Sequence, residues 1–224
     1  MPDGKILERF LDDHRAAARI ACPRTLIPAP GQYLLAHNPA SDDPLAVPVF
    51  SAGDSPEGFL AASPLPHAWF PGLTLSLRGP LGRGFNLPPS ARRILFAALD
   101  VSPAYLLGLI PAAHAQGAAI SLVCEHPPED IPSDVEIRPL AALAEICQWA
   151  DYLALAATRE SLRGWRERLG NGGQLPAPRE AQALVVMPMS CGGLSQCGVC
   201  SIGVKRGIAL VCEDGPVFEL ADLP

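Results

Sequence analysis

The sequence has little lysine, no histidine motif and no long apolar run. Lysine occurs only at Lys5 and Lys205, and the formal charge is −6 with acidic and basic residues interspersed. No basic stripe is available to neutralise phosphates, so nucleic acid is excluded as an expected partner. No stretch reaches the roughly 18 consecutive apolar residues that a helix needs to cross a bilayer. The first residues include Asp3, Lys5, Glu8, Arg9, Asp12 and Asp13 where a signal peptide would need an apolar core. A cytoplasmic protein without a membrane partner is the expectation. His14, His37, His67, His114 and His126 are scattered, with no ligand spacing to a cysteine or carboxylate, and no acid-base pair accompanies Ser190 or Ser195. They support neither a histidine metal site nor a hydrolytic triad, and no catalytic residue is assigned.

The 224 residues, 49% of them hydrophobic, are ample for one large domain or two to three small ones. Ile6, Leu7, Phe10, Leu11, His14, Ala17 and Ala18 recur at helical spacing, which predicts an N-terminal amphipathic helix within residues 1–24. From residue 25 to 88, short apolar runs broken by Pro and Gly (Gln32 to Ala36, Ala46 to Ser51, Gly58 to Ala62, Leu73 to Leu77) predict a small antiparallel β-barrel. Residues 89–180 alternate differently. The runs Ile94 to Leu99, Ala118 to Cys124, Val135 to Ile137 and Tyr152 to Ala156 are separated by helical stretches at Pro103 to Gln116 and Leu140 to Trp149. A helix carrying Leu162, Trp165 and Leu169 follows. Buried parallel strands covered by helices are implied. A Gly- and Pro-rich linker, Gly170 to Pro178, precedes one more apolar run, Ala183 to Met187, and a cysteine-rich segment assigned to a third unit at 181–224.

Seven cysteines in a protein expected in a reducing compartment do not read as a disulfide framework. Cys191, Cys197, Cys200 and Cys212 are bunched with intervals of five, two and eleven residues. Gly192, Gly193 and Gly198 let such a loop turn tightly and aim backbone N–H groups at the sulphurs, while Leu194, Val199 and Ile202 are placed to exclude water. The spacing approaches the plant-type [2Fe-2S] pattern C-x4-C-x2-C with a distant fourth cysteine, one residue longer in the first gap. The alternative is a zinc site with four cysteine ligands, which usually has two C-x2-C pairs, whereas only Cys197 and Cys200 form one here. Cys22, Cys124 and Cys147 are isolated and are expected to pack as small hydrophobes.

The segment Met189 to Cys200, closing on Cys212-Glu213-Asp214-Gly215-Pro216-Val217-Phe218, resembles the electron-transfer subunit of type B dihydroorotate dehydrogenases. Pro30-Gly31-Gln32-Tyr33 is similar to that family's early barrel strand, and Gly79 to Phe85 to the segment that ends its barrel. The resemblance, over about residues 27 to 224, implies a ferredoxin-reductase-like arrangement: an FAD-binding barrel, a nucleotide-binding α/β domain and a C-terminal [2Fe-2S] domain. It implies FAD near Gly79, Pro80, Leu81 and Gly82, and a flavoprotein oxidoreductase subunit as partner, with a homodimer inside a hetero-oligomer as one arrangement.

Three departures qualify it. The flavin signature should lie within Pro44 to Ser51, yet no arginine stands there to pair with a pyrophosphate. The first β-α turn reads Ala97-Ala98-Leu99-Asp100-Val101-Ser102-Pro103, with no glycine and with an acid where phosphate would sit. Ala156-Ala157-Thr158 replaces a Cys-Gly-Pro segment expected near the nicotinamide. Glu125, Glu129 and Asp130 then read as a solvated loop, not a ribose site. The expectation is an accessory electron-transfer subunit with a [2Fe-2S] cluster, weak FAD at most and no NAD. The alternatives are a complete FAD-containing, NADH-oxidising subunit and a zinc-bearing structural adaptor. The short N-terminus predicts an incomplete barrel or one completed by a partner.

Overall fold

The computed structural model describes residues 2–12, 15–42, 45–62, 64–168, 178 and 180–223. His14, Pro44, Leu169 and the expected linker up to residue 177 lie outside them. Alternating apolar residues over the first third build six strands: β1 (Asp3–Asp12), β2 (Arg15–Ala21), β3 (Tyr33–His37), β4 (Val47–Ser55), β5 (Gly58–Ala61) and β6 (Thr74–Leu81). They close into an antiparallel barrel in the order β1-β2-β5-β4-β3-β6, with β6 pairing back on β1. Closure leaves no unpaired edge. Ile6, Ile20, Leu34, Phe59, Leu75 and Leu77 fill its interior.

The expected N-terminal helix and incomplete barrel are both corrected here, because Asp3–Asp12 and Arg15–Ala21 are barrel strands. A register shift between Ile6 and Glu8 accounts for the misleading pattern. A bulge inserts one residue into a period-2 alternation, so Ile6, Leu7 and Phe10 acquire a spacing that mimics a helix. Ion pairing supports the hairpin, with Arg19 2.8 Å from Glu8.

Fully apolar runs build the second layer. Strands β7 (Arg93–Leu99), β8 (Ala119–Val123), β9 (Val135–Arg138), β10 (Tyr152–Thr158) and β11 (Glu180–Val186) run parallel, and β12 (Ser201–Val204) and β13 (Gly207–Leu210) form a separate hairpin. A last strand, β14 (Val217–Glu219), joins β11 antiparallel and gives the sheet order β14-β11-β10-β7-β8-β9. Helices α1 (Ala104–Leu107), α2 (Ile110–Ala115), α3 (Leu143–Trp149) and α4 (Arg159–Arg168) occupy the crossovers, and α5 (Val211–Asp214) precedes β14. The cysteine segment is therefore not a separate C-terminal domain at 181–224, since β11 and β14 on either side of it are both strands of the α/β sheet.

Barrel and sheet share one core. Tyr33, Leu35, Phe50, Ala52 and Ala62 of the barrel side join the same buried cluster as Ile94, Tyr105, Leu106 and Leu155. Phe50 meets Tyr105 edge-to-face, with ring centroids 5.1 Å apart at 84°. Such a contact adds about 0.5–1.5 kcal/mol beyond the area it buries.

Candidate functional site

The cysteine loop leaves the sheet after Val186. Buried Met189 anchors its start, and the Gly192 N–H donates to the Met189 carbonyl at 2.8 Å. Gly192, Gly193, Ser195 and Gly198 all take left-handed φ values between 58° and 70°. Glycine is needed at Gly193, where a Cβ would also lie 3.2 Å from Leu35 Cδ1 and from the Tyr33 hydroxyl. The loop so wound turns backbone N–H groups toward Cys191. Hydrogen bonds from the Gln196, Cys197 and Leu194 N–H groups and from the Cys197 side chain outweigh desolvation, and hold the Cys191 thiol down at about 6.

The other two cysteines are buried. Cys200 precedes β12, and its carbonyl accepts from the Val211 N–H at 2.9 Å, which draws it toward α5 and Cys212. Their sulphurs are 3.2 Å apart, and the Ser195 hydroxyl lies 3.6 Å from the Cys212 sulphur. Burial pushes the Cys200 thiol up. Asp214 accepts the Leu210 N–H at 2.7 Å, tying α5 to β13. Cys197 is exposed and Cys191 half-buried. Among the described residues no group of three or more His, Cys, Asp or Glu side chains is arranged to hold a single metal ion, so a [2Fe-2S] site is not shown.

Two barrel side chains reach this loop, and neither stood out in the sequence. Tyr33 on β3 donates its hydroxyl to the Cys212 carbonyl at 3.0 Å, and Arg78 on β6 donates to the Gly192 carbonyl at 2.8 Å. The Gly31-Gln32-Tyr33 run marked only a strand; the long-range contact carries no local signal.

The residues expected at FAD, Gly79 to Gly82, are half-buried. Gly79, Pro80 and Leu81 complete β6, and at Gly82 an added Cβ would lie 2.5 Å from Pro216 Cδ. The Arg83 N–H donates to the Gly215 carbonyl at 2.6 Å, so the barrel-ending segment is packed on the stretch following Cys212. On β4, Phe50 is covered by Tyr105, and the buried Ser51 hydroxyl accepts from the Gly53 N–H at 3.2 Å. β4 also carries no arginine, so the cation that would pair with a flavin pyrophosphate is missing there.

At the end of β7, Asp100 takes φ 56° and accepts the Ser161 hydroxyl at 2.7 Å, while Thr158 and Ser161 share a 2.7 Å hydrogen bond. Helix α1 has only four residues and is capped by Pro103, which offers no N–H. The chemistry of this turn opposes a pyrophosphate. Elsewhere, His114 pairs with Asp134 at 2.9 Å, and Glu125, Glu129 and Asp130 are exposed. Cys124 and Cys147 are buried as expected, and half-buried Cys22 packs against the barrel core.

No protein-family profile and no curated protein sequence matches the chain. Solved structures do share its fold. An NADH-dependent reduced ferredoxin–NADP oxidoreductase, studied for flavin-based electron bifurcation, matches with a TM-score of 0.74 at 16% identity, over 99% of this chain and 89% of that one. A ferredoxin–NADP+ reductase from Neisseria gonorrhoeae with bound FAD and NADP matches with a TM-score of 0.58 at 12% identity, over 82% of this chain and 97% of that one. Phthalate dioxygenase reductase, described as modular for electron transfer from pyridine nucleotides to [2Fe-2S], matches with a TM-score of 0.56 at 13% identity, over 81% and 67%. The chain has the ferredoxin-reductase-like fold: an antiparallel barrel followed by a parallel α/β sheet.

Proposed function

We propose that this protein is an iron-sulphur electron-transfer subunit, with Cys191, Cys197, Cys200 and Cys212 as thiolate ligands of a [2Fe-2S] cluster. The observation that carries it is the pairing of donors: Cys200 with Cys212 at 3.2 Å, and Cys191 hydrogen-bonded to the Cys197 side chain and to three backbone N–H groups. Two irons take two thiolates each, which suits pairs, whereas zinc draws four ligands around one point. With metal–sulphur bonds of about 2.3 Å and a tetrahedral angle, paired sulphurs sit about 3.8 Å apart, so Cys200 and Cys212, at 3.2 Å, need to separate by about 0.6 Å. The cluster would supply one-electron transfer; the chain supplies thiolates and N–H donors that stabilise the more negative reduced state, and of the three side chains expected to exclude water only Ile202 is buried.

The relay runs from a flavoprotein donor to an oxidoreductase subunit, of the dihydroorotate dehydrogenase type that the sequence resembles, and not through an FAD of its own. Leu194, Val199 and Ile208 are 54%, 47% and 79% exposed on the cysteine loop and its hairpin, an apolar surface suited to a partner. The test is metal and sulphide analysis of anaerobically purified protein. A red-brown protein with about two irons and two sulphides per chain is expected. Replacing Cys197 or Cys200 by serine abolishes the colour, and Cys22→Ser or Cys124→Ser leaves it. Colourless protein with one tightly held zinc rejects the reading.

A further inference from the structure

Two side chains of the barrel touch the cysteine loop at its two ends. Tyr33 is fully buried in the shared core, and its hydroxyl donates to the carbonyl of Cys212, the fourth ligand in sequence. Arg78 is exposed, and its guanidinium donates to the carbonyl of Gly192, the residue after the first ligand. Both converge on the peptide between: a Cβ on Gly193 would lie 3.2 Å from the tyrosine oxygen and 3.8 Å from Arg78 Nη2. The two strands that carry them are neighbours in the barrel, where Leu35 pairs with Arg78. The loop is therefore fixed to a rigid wall by two hydrogen bonds, one of them from a cation.

We propose that Tyr33 and Arg78 are positioning residues that clamp the cysteine loop to the barrel and raise the reduction potential of the cluster it holds. The inference rests on the cluster reading above. Each donor engages the carbonyl of a ligand or of its neighbour and offsets the negative end of that peptide dipole, while the bonds hold the loop in place against the barrel. The guanidinium adds a positive charge near the cluster. Both effects favour the state with one more electron, and hydrogen bonding and local charge set the potential of such centres. Arg78 acts partly through solvent, so its share weakens as salt shortens the screening length from about 30 Å at 0.01 M to about 8 Å at 0.15 M. The Tyr33 bond is buried and keeps its effect.

The experiment compares the full chain with Arg78→Gln, Arg78→Lys, Tyr33→Phe and, as a control for general charge, Lys205→Gln. Iron and sulphide content are measured first, then the midpoint potential by anaerobic redox titration at two salt concentrations. Arg78→Gln is expected to shift the reduction equilibrium about tenfold toward the oxidised form at low salt, ~59 mV for one electron, with a smaller shift at high salt. Arg78→Lys recovers most of the potential, Tyr33→Phe lowers it at both salts, and Lys205→Gln leaves it in place. Unchanged potentials in Arg78→Gln and Tyr33→Phe, with the cluster retained, overturn the proposal, as does an equal shift in Lys205→Gln. Hydrogen exchange on the metal-free proteins separates this from failure of the cluster reading. Faster exchange at the amides of Gly192 to Cys200 in Arg78→Gln and of Val211 to Asp214 in Tyr33→Phe supports the clamp even if the wild type takes up no iron, and unchanged exchange at those amides rejects it.

Discussion

The Cys191 thiol offers a test that needs no metal. In metal-free protein, raising the pH stepwise should ionise this thiol near pH 6, because the N–H groups of Gln196, Cys197 and Leu194 converge on its sulphur. At pH 6 half of it is then thiolate, whereas a free cysteine of pKa about 8.5 is only about 0.3% ionised, a difference of about 160-fold. A thiolate of lower basicity is also a weaker nucleophile. With a Brønsted coefficient of about 0.45, a drop of about 2.5 units slows attack about 13-fold per thiolate. The net expectation is reaction about tenfold faster than a free cysteine at pH 6, falling to about two- to threefold at pH 7. The assay is exchange with a neutral pyridyl disulfide on anaerobic, metal-free protein, with the modified peptide assigned by mass spectrometry. Cys200, whose thiol burial pushes up, should label after Cys191. If Cys191 labels at the rate of a free cysteine throughout, the N–H groups do not converge on it and the loop is not built for thiolates.

Three further outcomes follow from the fold. Burial raises the Cys147 thiol to about 11. The unfolded chain loses that proton first, so stability should decline as pH rises from about 8.5 toward 11, by up to about 1.4 kcal/mol per pH unit from this group. Urea unfolding of wild type against Cys147→Ala measures it, the variant giving the flatter profile. Tyr105→Ala removes the ring that Phe50 packs against and should cost about 3–5 kcal/mol by the same assay; a loss below about 1 kcal/mol would mean that barrel and sheet are not joined there. Anaerobic stopped-flow mixing of the protein, reconstituted with iron, sulphide and excess FAD, against NADH should show no rapid bleaching, because Asp100 stands where phosphate would bind and β4 has no arginine. Saturable bleaching would restore the NADH-oxidising alternative.

The covered runs Ile94 to Leu99 and Tyr152 to Ala156 were legible as parallel strands because a strand buried on both faces must be apolar at every position. The barrel strands from residue 33 onward were legible from alternation and their Pro and Gly boundaries. Residues 3–12 were not, since one bulged residue moves the apolar set out of phase and only pairing with residues 15–21 and 74–76 restores it. The spacing of Cys191, Cys197, Cys200 and Cys212 was legible as a candidate ligand set, because spacing along the chain is a local property. The sequence could not say that this loop is inserted between two strands of one sheet, because β14 reaches β11 only through three paired residues. Nor could it say that Tyr33 and Arg78 meet the loop, since their partners lie 179 and 114 residues away along the chain. Spacing encodes which side chains one segment can bring together; closure of the barrel and stacking of the sheet against it decide which side chains stand around them.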